Sequence, residues 1–217
     1  MLLKNVSNQI KTMVSVLFIS YLSISTSQAK SLHCELSDVK NKHAKFCQAN
    51  LKDARAELIE KSLTASLVTD APIRLLDDTQ TLWLNRLSQC KSNQCLQQQF
   101  ELRNEDLNIY TSLNQSLTQH YIKFEKGQFA EAPVHLKIHQ LSKDRIKIEG
   151  VAYRNPNNSA KARIIPLLAY TSPERKHQIL DNENDCKYQL NFQKAILIVN
   201  SEQKGCERYT GVYRLYD

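Results

Sequence analysis

The sequence predicts an α+β protein: an N-terminal disulfide-stapled helical hairpin or three-helix domain, followed by a small antiparallel β domain. Three observations predict it. Apolar residues recur at helical spacing from residue 30 to about 126, they alternate at strand spacing from about 130 onward, and six cysteines, an even number, are spread over both stretches.

Residues 1–29 have the parts of a secretory signal. Lys4 and Lys11 make a positive start without acidic residues, Met13 to Ile24 is an apolar run, and Ser27-Gln28-Ala29 places small residues at a cleavage site. Cleavage is expected after Ala29, which makes the mature protein periplasmic or secreted. The apolar run is short of the ~20 residues that span a bilayer. No second apolar stretch approaches that length, so no transmembrane segment is expected in the mature chain. The next cysteine, Cys34, is too distant to read as a lipid-attachment site.

Residues 30–126 read as a helical domain. Its first apolar run is Leu51, Ala54, Leu58, Leu63 and Leu67, and its second is Ile73, Leu76, Trp83, Leu84 and Leu87. Pro72 suits the first turn of that second helix, with Asp70 as its cap. A third run, Leu96, Phe100, Leu107, Tyr110, Leu113 and Leu117, predicts a long helix with His120 near its end. The boundary is expected near Gly127.

Residues 127–217 read as a β domain of six short strands. Val134, Leu136 and Ile138 alternate with His135, Lys137 and His139. Ile146 to Tyr153 forms a second strand, with Gly150 as a candidate bulge. Pro166, within Ile164 to Leu168, favours a sheet edge because proline has no amide proton to give to a ladder. Tyr188 to Phe192 and Ile196 to Val199 flank a turn at Gln193-Lys194, and Tyr209 to Leu215 closes the chain.

The net charge of +7 falls to +5 once the signal's two lysines are removed. A basic surface suits an anionic partner, but the basic residues form no long runs, and no nucleic-acid partner is expected of an exported protein. The cysteines, Cys34, Cys47, Cys90, Cys95, Cys186 and Cys206, are expected in disulfides, since they lack the clustered spacing of a zinc site. Spacing alone leaves the connectivity open. Local pairing is preferred: Cys34 with Cys47 and Cys90 with Cys95 close short loops between helix ends, and Cys186 with Cys206 staples a hairpin.

No catalytic constellation stands out. No serine lies in a Gly-x-Ser-x-Gly elbow, and four glycines in the whole chain leave no phosphate-cradling loop. His135 and His139, four residues apart on a strand, would lie about 13 Å apart, too far to share one metal ion. Both are expected to face solvent. Neither Asp77-Asp78 nor the loop Asp181-Asn182-Glu183-Asn184-Asp185 suggests a catalytic carboxylate pair. The loop also lacks the glycine of a calcium-binding turn. No cofactor and no metal are expected.

One ordered set of residues resembles a known family. Cys34 and Cys47 precede a leucine-rich helix. Gln80-Thr81-Leu82-Trp83-Leu84-Asn85-Arg86 follows, and Cys90-x4-Cys95-Leu96 then opens a helix with Phe100 and Arg103. Over about residues 32–110 this order is similar to the lysozyme-inhibitor LprI N-terminal-like family. Thr81 stands where the family usually has arginine, and a tyrosine usual in the first long helix is missing. The resemblance implies a stapled helical platform and a non-enzymatic binding protein whose partner is a lysozyme or another cell-wall hydrolase. Candidate partner contacts are Trp83, Gln80 and Arg86 on the helical hairpin and Asp181, Glu183 and Asp185 on the acidic loop. An alternative of the same exported, stapled profile is immunity against a delivered cell-wall effector. An envelope enzyme is the remaining reading.

Overall fold

The computed structural model describes Leu32, Cys34 and residues 44–112, 114–158 and 163–216. The signal-like segment 1–29, with His33, His43 and Leu113, lies outside the described residues. The described residues all belong to one compact unit, Leu32–Asp217.

Three α-helices come first: α1 (Lys52–Val68), α2 (Ile73–Gln89) and α3 (Asn93–Ser112). None is long and apolar enough to cross a membrane. Pro72 precedes α2 with φ −57°, and its carbonyl accepts the amide of Leu75 at 2.8 Å. Asp70 does not cap this helix. Its carboxylate instead accepts the amides of Gln115 and Ser116, at 2.9 and 3.1 Å, and so ties the α1–α2 turn to the 3-10 turn Gln115–Leu117 beyond α3. The apolar stripe of α1 is only partly used. Leu58 and Ala65 are buried, but Leu63 and Leu67 are 59% and 75% exposed. Val68 and Ile73 stand exposed beside them in sequence.

The chain turns to strand earlier than expected, at Thr118 rather than near Gly127. Nine strands follow among the described residues: β1 (Thr118–Glu125), β2 (Gln128–Phe129), β3 (Val134–Ser142), β4 (Arg145–Tyr153), β5 (Ile164–Thr171), β6 (Gln178–Leu180), β7 (Lys187–Phe192), β8 (Ile196–Asn200) and β9 (Gly211–Tyr216). Lys126 and Gly127, both with positive φ (52° and 78°), form the β1–β2 turn. Two consecutive left-handed residues are what a tight hairpin needs to match the strands' twist. His120 therefore sits in β1, not at the end of a helix.

All pairings are antiparallel, in the order β5-β4-β3-β1-β9-β8-β7-β6, with β2 paired to β1 alone. The fold is thus α+β, with the helices preceding a nearly closed sheet. Pro166 lies on the edge strand β5, where its missing amide breaks no ladder. Gly150 is not a bulge: it pairs in register with Leu136 and Leu167. The register shifts instead between Gln140 and Ser142. A Cβ on Gly150 would lie 2.5 Å from the Tyr209 ring, so the glycine is there to admit that ring.

Alternation divides the sheet into two faces. Tyr121, Val134, Leu136, Ile138, Ile146, Ile148, Leu190 and Tyr213 pack into one apolar core. Ile122 and Tyr216 point the other way and join the helical core of Leu58, Leu75, Trp83, Leu96, Phe100 and Leu107. Three disulfides are present among the described residues, Cys34–Cys47, Cys90–Cys95 and Cys186–Cys206.

Candidate functional site

The polar face of β1 and β3 meets the helices, and titratable groups gather between the two layers. His135 and His139 were expected in water. They are half-buried instead, because the helical layer covers this side of the sheet. The register sets Thr118 opposite His139, His120 opposite Lys137, and Ile122 opposite His135. His120 thereby reaches His135, with its Nδ1 3.1 Å from the neighbour's Nε2. On its far side, His120 Nε2 is 2.7 Å from Gln115 Oε1. Thr118 Oγ1 donates to the Asn114 carbonyl at 2.9 Å, so it accepts from Nδ1 of His139 at 2.6 Å.

Burial pushes His120 down to about 3, with Lys137 and His139 adding repulsion. Burial likewise holds His135 well below its ordinary value, and His120, Lys137 and Arg103 push the same way. Lys137, itself lowered by burial, lies 3.7 Å from Glu149. Glu149 also accepts Lys147 at 2.8 Å. Burial alone would raise Glu149, but the two lysines leave it lowered.

A second part of the layer centres on Asp106 of α3. Tyr153 donates to its carboxylate at 2.7 and 2.5 Å. Burial raises Asp106, with Arg103 opposing. Arg86 stacks 4.6 Å over the Tyr153 ring. Its Nε donates to Gln99 Oε1 at 3.1 Å and its Nη1 to the Arg154 carbonyl at 2.9 Å. Burial lowers Arg86 to about 10. A cavity of about 30 Å³ lies here, with Thr79, Trp83, Arg86, Asp106, His135 and Tyr153 among its walls. That is room for two or three water molecules, given the roughly 10–15 Å³ that each needs on this measure.

The partner contacts expected on the hairpin are internal. Trp83 is 4% exposed, its Nε1 donates to the Gln99 carbonyl at 2.7 Å, and its ring meets Phe100 edge-on at 5.5 Å. Arg86 is 5% exposed, and Gln80 accepts Arg103 Nε at 3.0 Å. Gln80, Trp83, Arg86, Phe100 and Arg103, separate in sequence, thus form one brace between α2 and α3. These contacts hold the fold together, and burial removes Trp83 and Arg86 from any partner's reach.

The acidic loop divides. Asp181 is fully buried, and its carboxylate accepts the amides of Leu168 and Glu183, both at 3.0 Å, and Asn184 Nδ2 at 2.9 Å. It is a structural residue, not a partner contact. Glu183 and Asp185 remain exposed. Cys186, next in sequence, is bonded to Cys206, so the exposed pair sits on an anchored loop. Among the described residues, no group of three or more His, Cys, Asp or Glu side chains has the geometry to hold a metal ion.

Sequence reasoning missed Asp106, Tyr153 and the His120–His135 pair. Only the alternation of His135 with Val134 and Leu136 pointed here, and it identified a face without identifying its cover. Comparison with protein-family models, curated proteins and solved structures gave no match.

Proposed function

We propose that this chain is an exported binding protein of the cell envelope, and in its concrete form an inhibitor of a lysozyme or related cell-wall hydrolase. The observation that carries the reading is the internal engagement of three polar groups between the layers. Asp106, Arg86 and His120 bond to other residues of the chain, and the cavity beside Asp106 and Arg86 has a volume of about 30 Å³. The chemistry left for a partner is therefore on the surface. The three disulfides suit an oxidising compartment. The signal-like start and the LprI-like order of residues 32–110 support export and inhibition.

The contact surface in this reading is the tip of the acidic loop. Lysozymes are typically basic, and this chain is basic as well, so encounter needs a local patch of opposite sign. Glu183 and Asp185 supply it on a loop held by Asp181 and by the Cys186–Cys206 bond. A loop fixed before binding loses less entropy on binding.

The test is inhibition of hen-type and goose-type lysozymes by the purified mature protein at low and physiological salt. Inhibition that weakens with salt and disappears in the Glu183→Lys/Asp185→Lys double variant is expected. No inhibition at micromolar protein, with the fold intact by circular dichroism, removes the lysozyme reading.

A further inference from the structure

The two histidines between the layers form a relay whose protonation state the hydrogen bonds dictate. Gln115 Nε2 donates to the Ile109 carbonyl at 2.9 Å, which turns Gln115 Oε1 towards His120 as an acceptor. His120 must then carry its proton on Nε2 and leave Nδ1 bare. That bare nitrogen accepts from His135 Nε2 at 3.1 Å. Both rings are neutral in this arrangement. A proton added to His120 Nδ1 would set two N–H groups head to head at that distance unless His135 gave up its Nε2–H tautomer. A proton added to His135 would set a cation beside Lys137 and Arg103, which already repel it.

We infer that the His120–His135 pair is an acid-sensitive latch. It holds the C-terminal end of α3 and the turn Gln115–Leu117 on the sheet, and acid releases it. Its reach follows from its bonds. Ile109 lies in the last turns of α3, Gln115 in the 3-10 turn, His120 in β1 and His135 in β3. Asp70 extends the connection to the α1–α2 turn through the amides of Gln115 and Ser116.

The charged and titratable surroundings give a proton little relief. From β3 come Lys137 and His139, and from β4 Glu149, Lys147 and Tyr153. From α3 come Arg103, Asp106 and Tyr110, whose ring lies 5.9 Å from that of His120. From β9 come Tyr216, opposite His120, and Arg214, and from α2 come Arg86 and Asp78. The three carboxylates are engaged elsewhere: Asp106 by Tyr153, Glu149 by two lysines and Asp78 by Tyr216 at 2.6 Å.

The pH window follows from the sign of the shifts. Both rings are lowered in the closed state, to about 3 for His120 and well below 6.5 for His135. Above pH 6.5 neither state takes a proton and the latch is at full strength. Below it, the released state binds protons that the closed state refuses. Each ring then weakens the latch by up to about tenfold per pH unit, until the folded value is reached.

The experiment is an NMR titration of the histidine rings between pH 7 and 3, with emission of Trp83 followed in parallel. Trp83, the chain's sole tryptophan, reports the helical layer. In the wild type, both rings are expected to hold their Nε2–H tautomers below pH 5, then to protonate together in one reversible step steeper than a single proton. His120→Gln is expected to move that step down by at least one pH unit. Rings that titrate separately near pH 6.5, with Trp83 emission unchanged, would overturn the latch. So would a folded His120→Gln variant with an unmoved midpoint. The wild-type titration decides alone if the variant does not fold.

Discussion

Asp181 Oδ1 accepts the amide of Leu168 at 3.0 Å, and that bond clasps the two edges of the sheet. Beside it, the amide of Asn182 donates to the Leu168 carbonyl at 2.7 Å, and Asn184 Nδ2 donates to the Pro166 carbonyl at 2.8 Å. β5 and the loop after β6 are thus closed by side chains and one backbone bond. An edge left open presents unpaired amides to other chains, and here the clasp covers part of it.

Asp181→Ala removes a buried acceptor from three donors: the amides of Leu168 and Glu183 lose their partner, and Asn184 Nδ2 keeps only the Pro166 carbonyl. A loss on the order of 3 kcal/mol is expected, as for a buried hydrogen-bonded charge whose partners go unsatisfied. Asp181→Asn retains one acceptor oxygen and is expected to lose less. Urea denaturation gives the ranking, and light scattering tests the edge. An alanine variant as stable as wild type would show that the clasp contributes nothing to the fold.

Gly150 and Tyr209 make a second sharp demand. Tyr209 donates to the Ile165 carbonyl at 2.5 Å, and its backbone carbonyl accepts Tyr213 OH at 2.7 Å, so the ring has little room to retreat. Gly150→Ala is expected to cost about 1–3 kcal/mol through overpacking. Tyr209→Leu on top of it should recover part of the overpacking cost, measured as non-additivity in a double-mutant cycle. Additive losses would mean that the alanine methyl meets something other than Tyr209.

Arg86 braces α2 against the loop after β4 through two directions of one planar group. Arg86→Lys keeps the charge but cannot serve both Gln99 and the Arg154 carbonyl while stacking on Tyr153. Destabilisation of about 2 kcal/mol is expected for either Lys or Met, as for a broken charged hydrogen bond. Full rescue by Lys, in thermal melts, would reduce the role of Arg86 to charge alone.

The legible part of the fold was the part where one face of an element meets solvent or a plain core. Pro166 marked an edge, and Val134, Leu136 and Ile138 marked a strand. β1 was read as helix because Tyr121, Ile122 and Lys123 are all buried, so no alternation shows. The buried site was illegible for a related reason. Strand periodicity separates His135 from Leu136, but only the docked helices decide that the histidine face is dry. Asp181, Glu183 and Asp185 alternate in sequence as if equivalent, and the closing of the sheet makes Asp181 a clasp and leaves the other two outside.

The disulfides should rank by the loops they close. Cys186–Cys206 spans 20 residues, Cys34–Cys47 spans 13 and Cys90–Cys95 spans 5. Chain-entropy arguments give about 3 kcal/mol for the longest and about 2 kcal/mol for the shortest. Paired Cys→Ala variants melted side by side should follow that order. A reversed order would place the stabilisation in packing of the buried sulfurs, since Cys90 and Cys95 are enclosed more completely than Cys34 and Cys47.

Alkali should unfold the protein through its tyrosines. Burial raises Tyr110 and Tyr188 to about 12, and raises Tyr153, Tyr209, Tyr213 and Tyr216 as well. A raised folded value means that the unfolded chain releases protons first. The stability is therefore complete below pH 10, the ordinary tyrosine value, and is lost as pH climbs above it. Tyrosinate absorbance should stay low past pH 10 for these six tyrosines, then rise in one step together with the loss of Trp83's native emission. Six tyrosines ionising smoothly near pH 10, with the emission unchanged, would mean that water reaches these rings in the folded protein.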